Sequence, residues 1–132
     1  MIRYKRPDKK KAISLVNTAS SDYKFTLNLP TNDLSANTII RNIYESFRMI
    51  GEALLISKGI QSEDHVLPIN ELIKLNVRLS RPLIYLDHLR KLRRNINYYG
   101  YRASKEQAED ALNFAKESFE ILRKKALDII TG

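Results

Sequence analysis

Long stretches of this chain run without any residue that would interrupt a helix. Its 132 residues include only four glycines and four prolines, and between them the apolar residues recur at steps of three and four rather than in alternation. Steps of this size place the apolar side chains along one face of an α-helix. The sequence therefore predicts an all-α fold, an antiparallel bundle of four or five helices.

The first two helices have recognisable boundary residues. Pro7 can occupy the first position of helix one. Asp33 or Ser35 can cap the next helix, which has the strongest apolar period in the chain, forms the expected centre of the core and runs to Gly59. Gly51 lies within it, where glycine costs roughly 1 kcal/mol relative to alanine. Close approach of a neighbouring helix is the expected reason for that glycine.

The second half of the chain holds three more predicted helices. Residues 60–67 are polar and indicate a loop, after which a short helix follows Pro68 and a longer one opens at Pro82. Ser104 and Gln107 have the spacing of a capping box, in which each side chain bonds the backbone of the other residue at a helix N-terminus. They predict the start of a last helix.

Composition limits the number of domains and the setting of the protein. A chain of 132 residues with 43% hydrophobic content can bury one core, so residues 1–132 are predicted to form a single domain. Cysteine is absent, which excludes disulfides, thiol nucleophiles and cysteine-ligated zinc and suits the reducing cytoplasm. No apolar run is long enough to cross a bilayer and no stretch of signal-peptide type follows the first residues, so we expect no membrane association.

The most informative segment for function is a basic run, residues 90–102, which holds five cations and three tyrosines and no acid. The whole chain carries a formal charge of +8, with 23 Lys and Arg against 15 Asp and Glu. Such a positive field raises the local concentration of nucleic acid, nucleotides or an acidic protein. The tyrosines and amides add groups that stack on bases and hydrogen-bond to phosphates. The basic run is therefore predicted to bind a polyanion.

A helical conformation sorts the basic run onto different faces. Successive residues of a helix are turned by about 100°, so the apolar residues fall on one side and the cations on another. Tyr99 falls on the apolar side. Arg93 falls at the border of the core. For Arg90 alone, an ion pair with Asp87 on a solvated surface is the favoured interpretation. The residues predicted to bind nucleic acid or nucleotide are Arg90, Arg93, Arg94, Asn95, Asn97 and Tyr98.

Two helix ends in this sequence are similar to those of a known family. The central helix ends in residues 52–59, and the later helix ends in residues 93–98 before a short capped turn. This arrangement resembles HEPN domains of prokaryotic toxin–antitoxin and nucleotidyltransferase-associated proteins. The resemblance covers residues 33–127, while the N-terminal helix and loop, residues 1–32, fit by position only. It implies an RNA- or nucleotide-binding homodimer that has a small nucleotidyltransferase as its partner, the two proteins acting as toxin and antitoxin.

The HEPN signature assigns positions within the basic run. In many of these domains an Arg, often followed by a polar residue, precedes a His, and one branch has a Tyr two residues after that His. Arg94 and Asn95 match the first part. Tyr99 stands where the His would be, and Tyr101 falls on the later Tyr, which resembles the tyrosine that receives nucleotide from the transferase. The spacing of a second branch of the family matches Arg93, Ile96, Asn97 and Tyr98. Asn97 stands where that branch has an acidic residue.

The same signature implies catalytic residues. HEPN ribonucleases use the Arg to hold the scissile phosphate and the His to transfer a proton, so Arg94 and Tyr99 are the corresponding positions here. Tyrosine suits proton transfer poorly, because with a pKa of about 10 only on the order of 0.1% of it is phenolate at pH 7. His65 in a polar loop and His88 upstream of the arginines do not stand at the motif position, and structural roles are expected for both.

Three functions remain open from the sequence. The preferred one is a HEPN-like domain that binds RNA or a nucleotide and pairs with a nucleotidyltransferase. The alternatives are a metal-independent HEPN ribonuclease and a helical module that binds an acidic protein without any role for nucleic acid. The sequence contains no cluster of metal ligands, no glycine-rich phosphate loop and no Ser-His-Asp arrangement, so no metal or cofactor is predicted.

Overall fold

The computed structural model describes residues 2–132, which form five helices and one small two-stranded sheet. The prediction of an all-α bundle is confirmed. No helix within residues 2–132 has the length and apolar character needed to span a bilayer. In chain order the elements are β1 (Ile2–Tyr4), α1 (Lys9–Leu27), α2 (Ala36–Ser57), β2 (Ile60–Ser62), α3 (Val66–Ile73), α4 (Tyr85–Tyr98) and α5 (Lys105–Thr131).

Helix α2 is the centre of the core, as its apolar period predicts, and it contacts each of the other four helices. The fully buried side chains of α2 pack against these helices. Burial of each such large apolar side chain stabilises the fold by roughly 1.5–3 kcal/mol relative to an exposed position. Aromatic rings join α1, α2 and α5, since Phe119 stacks on Tyr23 at 4.2 Å between centroids and meets Phe47 edge-on at 5.4 Å. The largest of these buried α2 residues are Ile39, Ile40, Ile43, Tyr44, Phe47, Ile50, Leu54 and Leu55.

Close packing of α3 against α2 explains Gly51. A Cβ atom placed on Gly51 would lie 2.0 Å from the carbonyl oxygen of Pro68, which belongs to the first turn of α3. Only a residue without a side chain permits this approach, so the expectation from the sequence is confirmed. The contact holds the N-terminus of α3, and the turn that precedes it, against the middle of α2.

The sheet was not anticipated from the sequence. Strand β1 pairs antiparallel with β2, with Arg3 opposite Gln61, so the prediction of a loop throughout residues 60–67 is wrong for its first three residues. It is also wrong for the last two, because α3 begins at Val66 rather than after Pro68. Gly59 makes the pairing possible, because it has a φ of +78° and its carbonyl accepts a 2.7 Å hydrogen bond from the Lys5 N–H. Strands of only three residues that lie so far apart in the sequence leave no local periodic signal.

The observed start of α5 agrees with its prediction, whereas the observed start of α1 differs from the predicted one. The capping box is present at α5, where the Ser104 hydroxyl accepts from the Gln107 N–H at 3.2 Å and the Gln107 side chain accepts from the Ser104 N–H at 2.9 Å. Helix α1 begins at Lys9 rather than at Pro7, because the carboxylate of Asp8 caps it by accepting the Lys11 N–H.

The starts of α2 and α4 also differ in detail from the expectation. Ser35 occupies the N-cap position of α2, but its side chain makes no capping hydrogen bond there. Asp33 instead accepts the Lys105 N–H at 2.7 Å and ties the start of α5 to the loop before α2. Helix α4 begins at Tyr85, since Pro82 lies in a turn where its carbonyl accepts the Tyr85 N–H.

Candidate nucleic-acid interface

Helix α4 presents one apolar and one basic face, and these faces come from the spacing of its residues. Leu86, Leu89, Leu92 and Ile96 are buried at steps of three and four and fix the helix against the bundle. The helix ends at Tyr98, and Gly100 follows with a φ of +66°. The four cations of the basic run that belong to α4, Arg90, Lys91, Arg93 and Arg94, therefore lie outside the buried face of a short, well-anchored helix.

A cleft of about 280 Å³ opens between this basic side of α4 and the turn before α3. It is the central feature of the candidate site, because it brings together four of the six residues predicted to bind a polyanion and one histidine for which only a structural role was expected. The cleft is lined by Asp64, His65, Val66, Arg90, Arg93, Arg94 and Tyr98.

Arg90 is already neutralised by an acid. Its Nε donates to Asp87 Oδ1 at 2.9 Å, and Lys91 lies 3.3 Å from the other carboxylate oxygen. This ion pair is the one predicted from the spacing of three residues. Arg90 therefore lines the cleft as a member of an ion pair, and Asp87 offsets its positive charge.

Arg93 and Arg94 differ from Arg90, because within residues 2–132 neither forms an ion pair. Two carboxylates face this region. That of Glu45 on α2 is held by Arg48 through hydrogen bonds of 3.0 and 3.1 Å, and that of Asp64 accepts backbone N–H groups. The cleft thus contains two adjacent guanidinium groups that form no ion pair with any described residue. Charges of this kind are the natural partners of a phosphate.

Aromatic rings hold the Arg93 guanidinium in place. Its Cζ atom lies 5.8 Å from the ring centroid of Tyr44 and 5.9 Å from that of Tyr98. Cation–π contacts at these distances contribute about 0.5–1 kcal/mol and leave the N–H groups available to a ligand. The ring of Tyr98 is 69% exposed and offers an open face at the rim of the cleft.

His65 is fixed on the opposite wall by the turn that starts α3. The carboxylate of Asp64 accepts the N–H groups of Val66 and Leu67, both at 3.0 Å, which sets the backbone at His65. The Nδ1 atom of His65 lies 2.8 Å from the hydroxyl of Tyr44, a fully buried residue of α2. Because this bond occupies Nδ1, the Nε2 atom is the ring nitrogen left for a ligand.

The surroundings keep His65 neutral near pH 7. Burial lowers the pKa of His65, and the positive charges of Arg93 and Arg48 lower it further, against weaker opposing effects of Glu45 and Asp64. Burial also raises the pKa of the Tyr44 hydroxyl to about 12. The pair therefore consists of a neutral imidazole and a protonated phenol.

The lowered pKa of His65 predicts a dependence of stability on pH. Because the pKa is higher in the unfolded chain, about 6.5, the unfolded state binds more protons as the pH falls, and the stability that neutral His65 contributes is present above that value and lost below it. The free energy of unfolding of wild type is expected to fall more steeply than that of His65→Gln between about pH 8 and pH 5. Parallel curves in urea titrations would contradict this environment for His65.

The remaining predicted residues lie beyond the cleft, at the C-terminal end of α4. The side-chain oxygen of Asn97 accepts from Arg41 Nε at 2.6 Å, one turn from Arg93 along the boundary between α2 and α4. Asn95 is exposed, and its carbonyl accepts the N–H groups of Tyr99 and Tyr101, both at 3.1 Å, where the helix ends. Neither amide side chain lines the cleft.

Two of the predicted tyrosines also stand apart from Arg93 and Arg94. Tyr99 is 74% exposed and does not line the cleft, so the geometry gives no support to its predicted catalytic role. It was placed on the apolar side by continuing the helical period, but α4 ends one residue before it. Tyr101 lies in the connection to α5, where its hydroxyl donates to Gln107 at 3.0 Å.

Nothing in the sequence indicates the contribution of His65 and Tyr44. The two residues are 21 positions apart, and Tyr44 counts simply as one apolar position of α2. His88 belongs to a different surface, where its ring packs beside Tyr85 at 5.3 Å between centroids, with Arg81 and Asp87 nearby. Of the two histidines, the structure brings His65 to the arginines.

Comparisons with known proteins do not extend this picture. No protein-family model, no curated protein and no solved structure matches the chain. The resemblance to HEPN domains stays a prediction that depends on the residues of the basic run. Within residues 2–132, no three side chains of the Asp, Glu and His type come together in a group that would hold a metal ion.

Proposed function

We propose that this protein binds RNA or a nucleotide in the cleft, with Arg93 and Arg94 holding a phosphate group. The observation that carries the proposal is the pair of adjacent guanidinium groups that line one open cleft and form no ion pair within residues 2–132. Arginine forms two parallel hydrogen bonds with phosphate oxygens, and such charge-assisted bonds are roughly twice as strong as neutral ones. The exposed ring of Tyr98 at the rim supplies a face on which a base can stack.

The size of the cleft favours one unit of a longer chain over a large free ligand. Its volume of about 280 Å³ lies at the lower limit of the roughly 300–1,000 Å³ that is typical of small-molecule sites. A single nucleotide of an RNA strand fits such a space, with the rest of the strand in solvent. The positive field of a chain with a formal charge of +8 then attracts the neighbouring phosphates.

A salt titration tests this proposal against the protein-interaction alternative. Binding of a fluorescently labelled single-stranded RNA, followed by anisotropy, is expected to weaken steeply as salt rises, because bound phosphates release their counterions into a more concentrated solution. Absence of RNA binding at low salt would instead favour a helical module whose cations meet an acidic protein.

Within this function we further propose that the chain is a HEPN-like component of a toxin–antitoxin pair. Its partner would be a small nucleotidyltransferase, it would form a homodimer, and it would act in the cytoplasm, which the absence of cysteine suits. The support is the match of Arg94, Asn95 and Tyr101 to the HEPN signature. Tyr101 is accessible enough to be modified, since its ring is 43% exposed and its hydroxyl contacts Gln107.

Nucleotide transfer to Tyr101 gives a direct prediction. Incubation with a cognate nucleotidyltransferase and ATP is expected to add the mass of AMP to the wild-type protein and not to Tyr101→Phe. The phenolic oxygen attacks the α-phosphorus of ATP, pyrophosphate leaves, and the phenolic proton passes to solvent. Tyr99→Phe is the matched control, because Tyr99 is a more exposed tyrosine two positions away and its removal should leave labelling unchanged. Equal labelling of wild type and Tyr101→Phe in intact-mass spectra would remove this role.

A second candidate function, a metal-independent ribonuclease, is favoured by one observation. His65, whose Nδ1 atom bonds Tyr44 and whose pKa is lowered by burial, lines the same cleft as Arg93 and Arg94. Neutral imidazole is a better proton acceptor at pH 7 than the phenol of Tyr99.

A further inference from the structure

We propose that His65 is the proton-transfer residue of the cleft and that Tyr44 is the buried residue that positions it. The inference rests on the proposed function, since His65 acts here on RNA whose phosphate is held by Arg93 and Arg94. It assigns a role to a residue in the turn before α3, outside the basic run and far from it in sequence.

The geometry places a proton acceptor and a phosphate clamp beside the same phenol ring. The rings of His65 and Tyr44 lie 5.7 Å apart with planes inclined by 25°, and their hydrogen bond measures 2.8 Å. The guanidinium of Arg93 lies 5.8 Å from the same Tyr44 ring. The imidazole and the guanidinium therefore reach the cleft from neighbouring positions, and a ribose hydroxyl next to a clamped phosphate would meet His65.

Tyr44 determines which nitrogen of His65 reacts. Its ring is buried in α2 and its hydroxyl holds Nδ1, so the imidazole is oriented and Nε2 is directed to the ligand. When Nδ1–H donates to the phenol oxygen, Nε2 carries a lone pair and accepts a proton; when the phenol donates to Nδ1, Nε2–H is a donor. A protonated phenol supports both arrangements, whereas a carboxylate in its place would favour only the first.

The charges that face His65 come from three elements. Arg90, Arg93 and Arg94 line the same cleft from α4, Glu45 and Arg48 act on it from α2, and Asp64 lies in its own turn. Arg90 is paired with Asp87, Glu45 is held by Arg48, and Asp64 bonds backbone N–H groups. After burial, the positive field of Arg93 is therefore the largest influence that lowers the pKa of His65. This field favours the neutral imidazole, the form that a general base requires before the reaction.

With RNA in the cleft, these groups are arranged for cleavage by internal transfer. Nε2 of His65 accepts the proton of a ribose 2′-hydroxyl, the 2′-oxygen forms a bond to phosphorus, and the bond from phosphorus to the 5′-oxygen breaks. The departing 5′-oxygen takes a proton from water or from the imidazolium. The products are a 2′,3′-cyclic phosphate and a 5′-hydroxyl end, so atoms balance without a further reactant. Arg93 and Arg94 stabilise the charge that develops on the phosphate oxygens.

The test uses single-stranded RNA in EDTA, with cleavage and binding measured separately. Wild type and His88→Gln are expected to cleave the RNA, because His88 lies outside the cleft. His65→Gln is expected to lose cleavage by about 10²–10⁴-fold, the range for removal of a general base, while anisotropy still detects RNA binding. The same RNA with a 2′-deoxy substitution at the cleaved position should stay intact. Mass spectrometry should find the cyclic phosphate.

A variant of Tyr44 separates positioning from simple support of the fold. Tyr44→Phe keeps the buried ring and removes the hydroxyl bonded to His65. It is expected to move the midpoint of the acid side of the pH–rate profile, which a purely structural change would leave in place. If His65→Gln does not fold, His65→Asn, which retains a polar amide, takes its place.

The outcomes distinguish failure of this inference from failure of the proposed function. If wild type binds RNA but leaves it intact over hours in EDTA, or if His65→Gln cleaves as fast as wild type, the role of His65 is wrong and RNA binding stands. If wild type does not bind RNA at low salt, the proposed function is wrong and the inference is overturned with it.

Discussion

Replacement of Arg93 and Arg94 together by alanine is expected to weaken RNA binding by about a hundredfold or more. Each of these arginines is free to form a charge-assisted hydrogen bond with a phosphate, and bonds of this type contribute about 1.5–3 kcal/mol. Two of them sum to about 3–6 kcal/mol, and every 1.4 kcal/mol is a factor of ten in affinity. The single variants should each account for part of this loss.

A matched control separates the cleft from the general field of the protein. Arg123 and Lys124 are also adjacent cations, but they belong to α5, they do not line the cleft, and Arg123 is held by Glu120 at 2.9 Å. Their replacement by alanine removes the same two charges and should reduce affinity only through the weaker, screened long-range field. Equal losses in the two double variants, measured by anisotropy at one salt concentration, would refute a local phosphate clamp.

The second large effect concerns the fold that positions the cleft. Gly51→Ala is expected to destabilise the protein by about 3 kcal/mol, because the new methyl group would lie 2.0 Å from the Pro68 carbonyl oxygen and would force α3 away from α2. The change gains roughly 1 kcal/mol in helix propensity, so a net loss shows that the clash dominates. Urea unfolding followed by circular dichroism measures the difference. Because His65 precedes α3, RNA cleavage should fall along with stability.

Gly100→Ala is the control for this substitution. A Cβ atom on Gly100 would meet nothing within 4 Å, although its φ of +66° strains an alanine there. That strain costs roughly 1–2 kcal/mol. A smaller loss for Gly100→Ala than for Gly51→Ala is the expected order. The reverse order would mean that α3 yields easily and that its position is not fixed by the backbone contact.

Much of the fold is predictable because it depends on signals that are close together in the sequence. The apolar period identifies α2, the pair Ser104 and Gln107 identifies the start of α5, and the spacing of three residues identifies the ion pair of Arg90 with Asp87. Each of these features arises within a single helix or at its first turn. Local propensity and hydrogen bonding therefore carry them into the structure unchanged.

The site itself is less predictable because its members come from separate elements. The basic run indicates the arginines, but nothing local to His65 distinguishes a histidine in a polar loop from one that faces a cleft. Its position follows from the turn formed by Asp64, from the hydrogen bond to Tyr44, and from the glycine that admits α3. The pairing of β1 with β2 escapes prediction for the same reason, since each strand has only three residues and its partner lies far away in the sequence.

The most direct test of the account is a comparison of salt dependence in wild type and in the variant that lacks both Arg93 and Arg94. For single-stranded RNA, the logarithm of affinity falls with the logarithm of salt with a slope of about −0.7 for each phosphate neutralised. Loss of the one phosphate that both arginines hold is therefore expected to make the slope shallower by about 0.7 units. Parallel lines for the two proteins would contradict the central claim that these two arginines hold the RNA backbone.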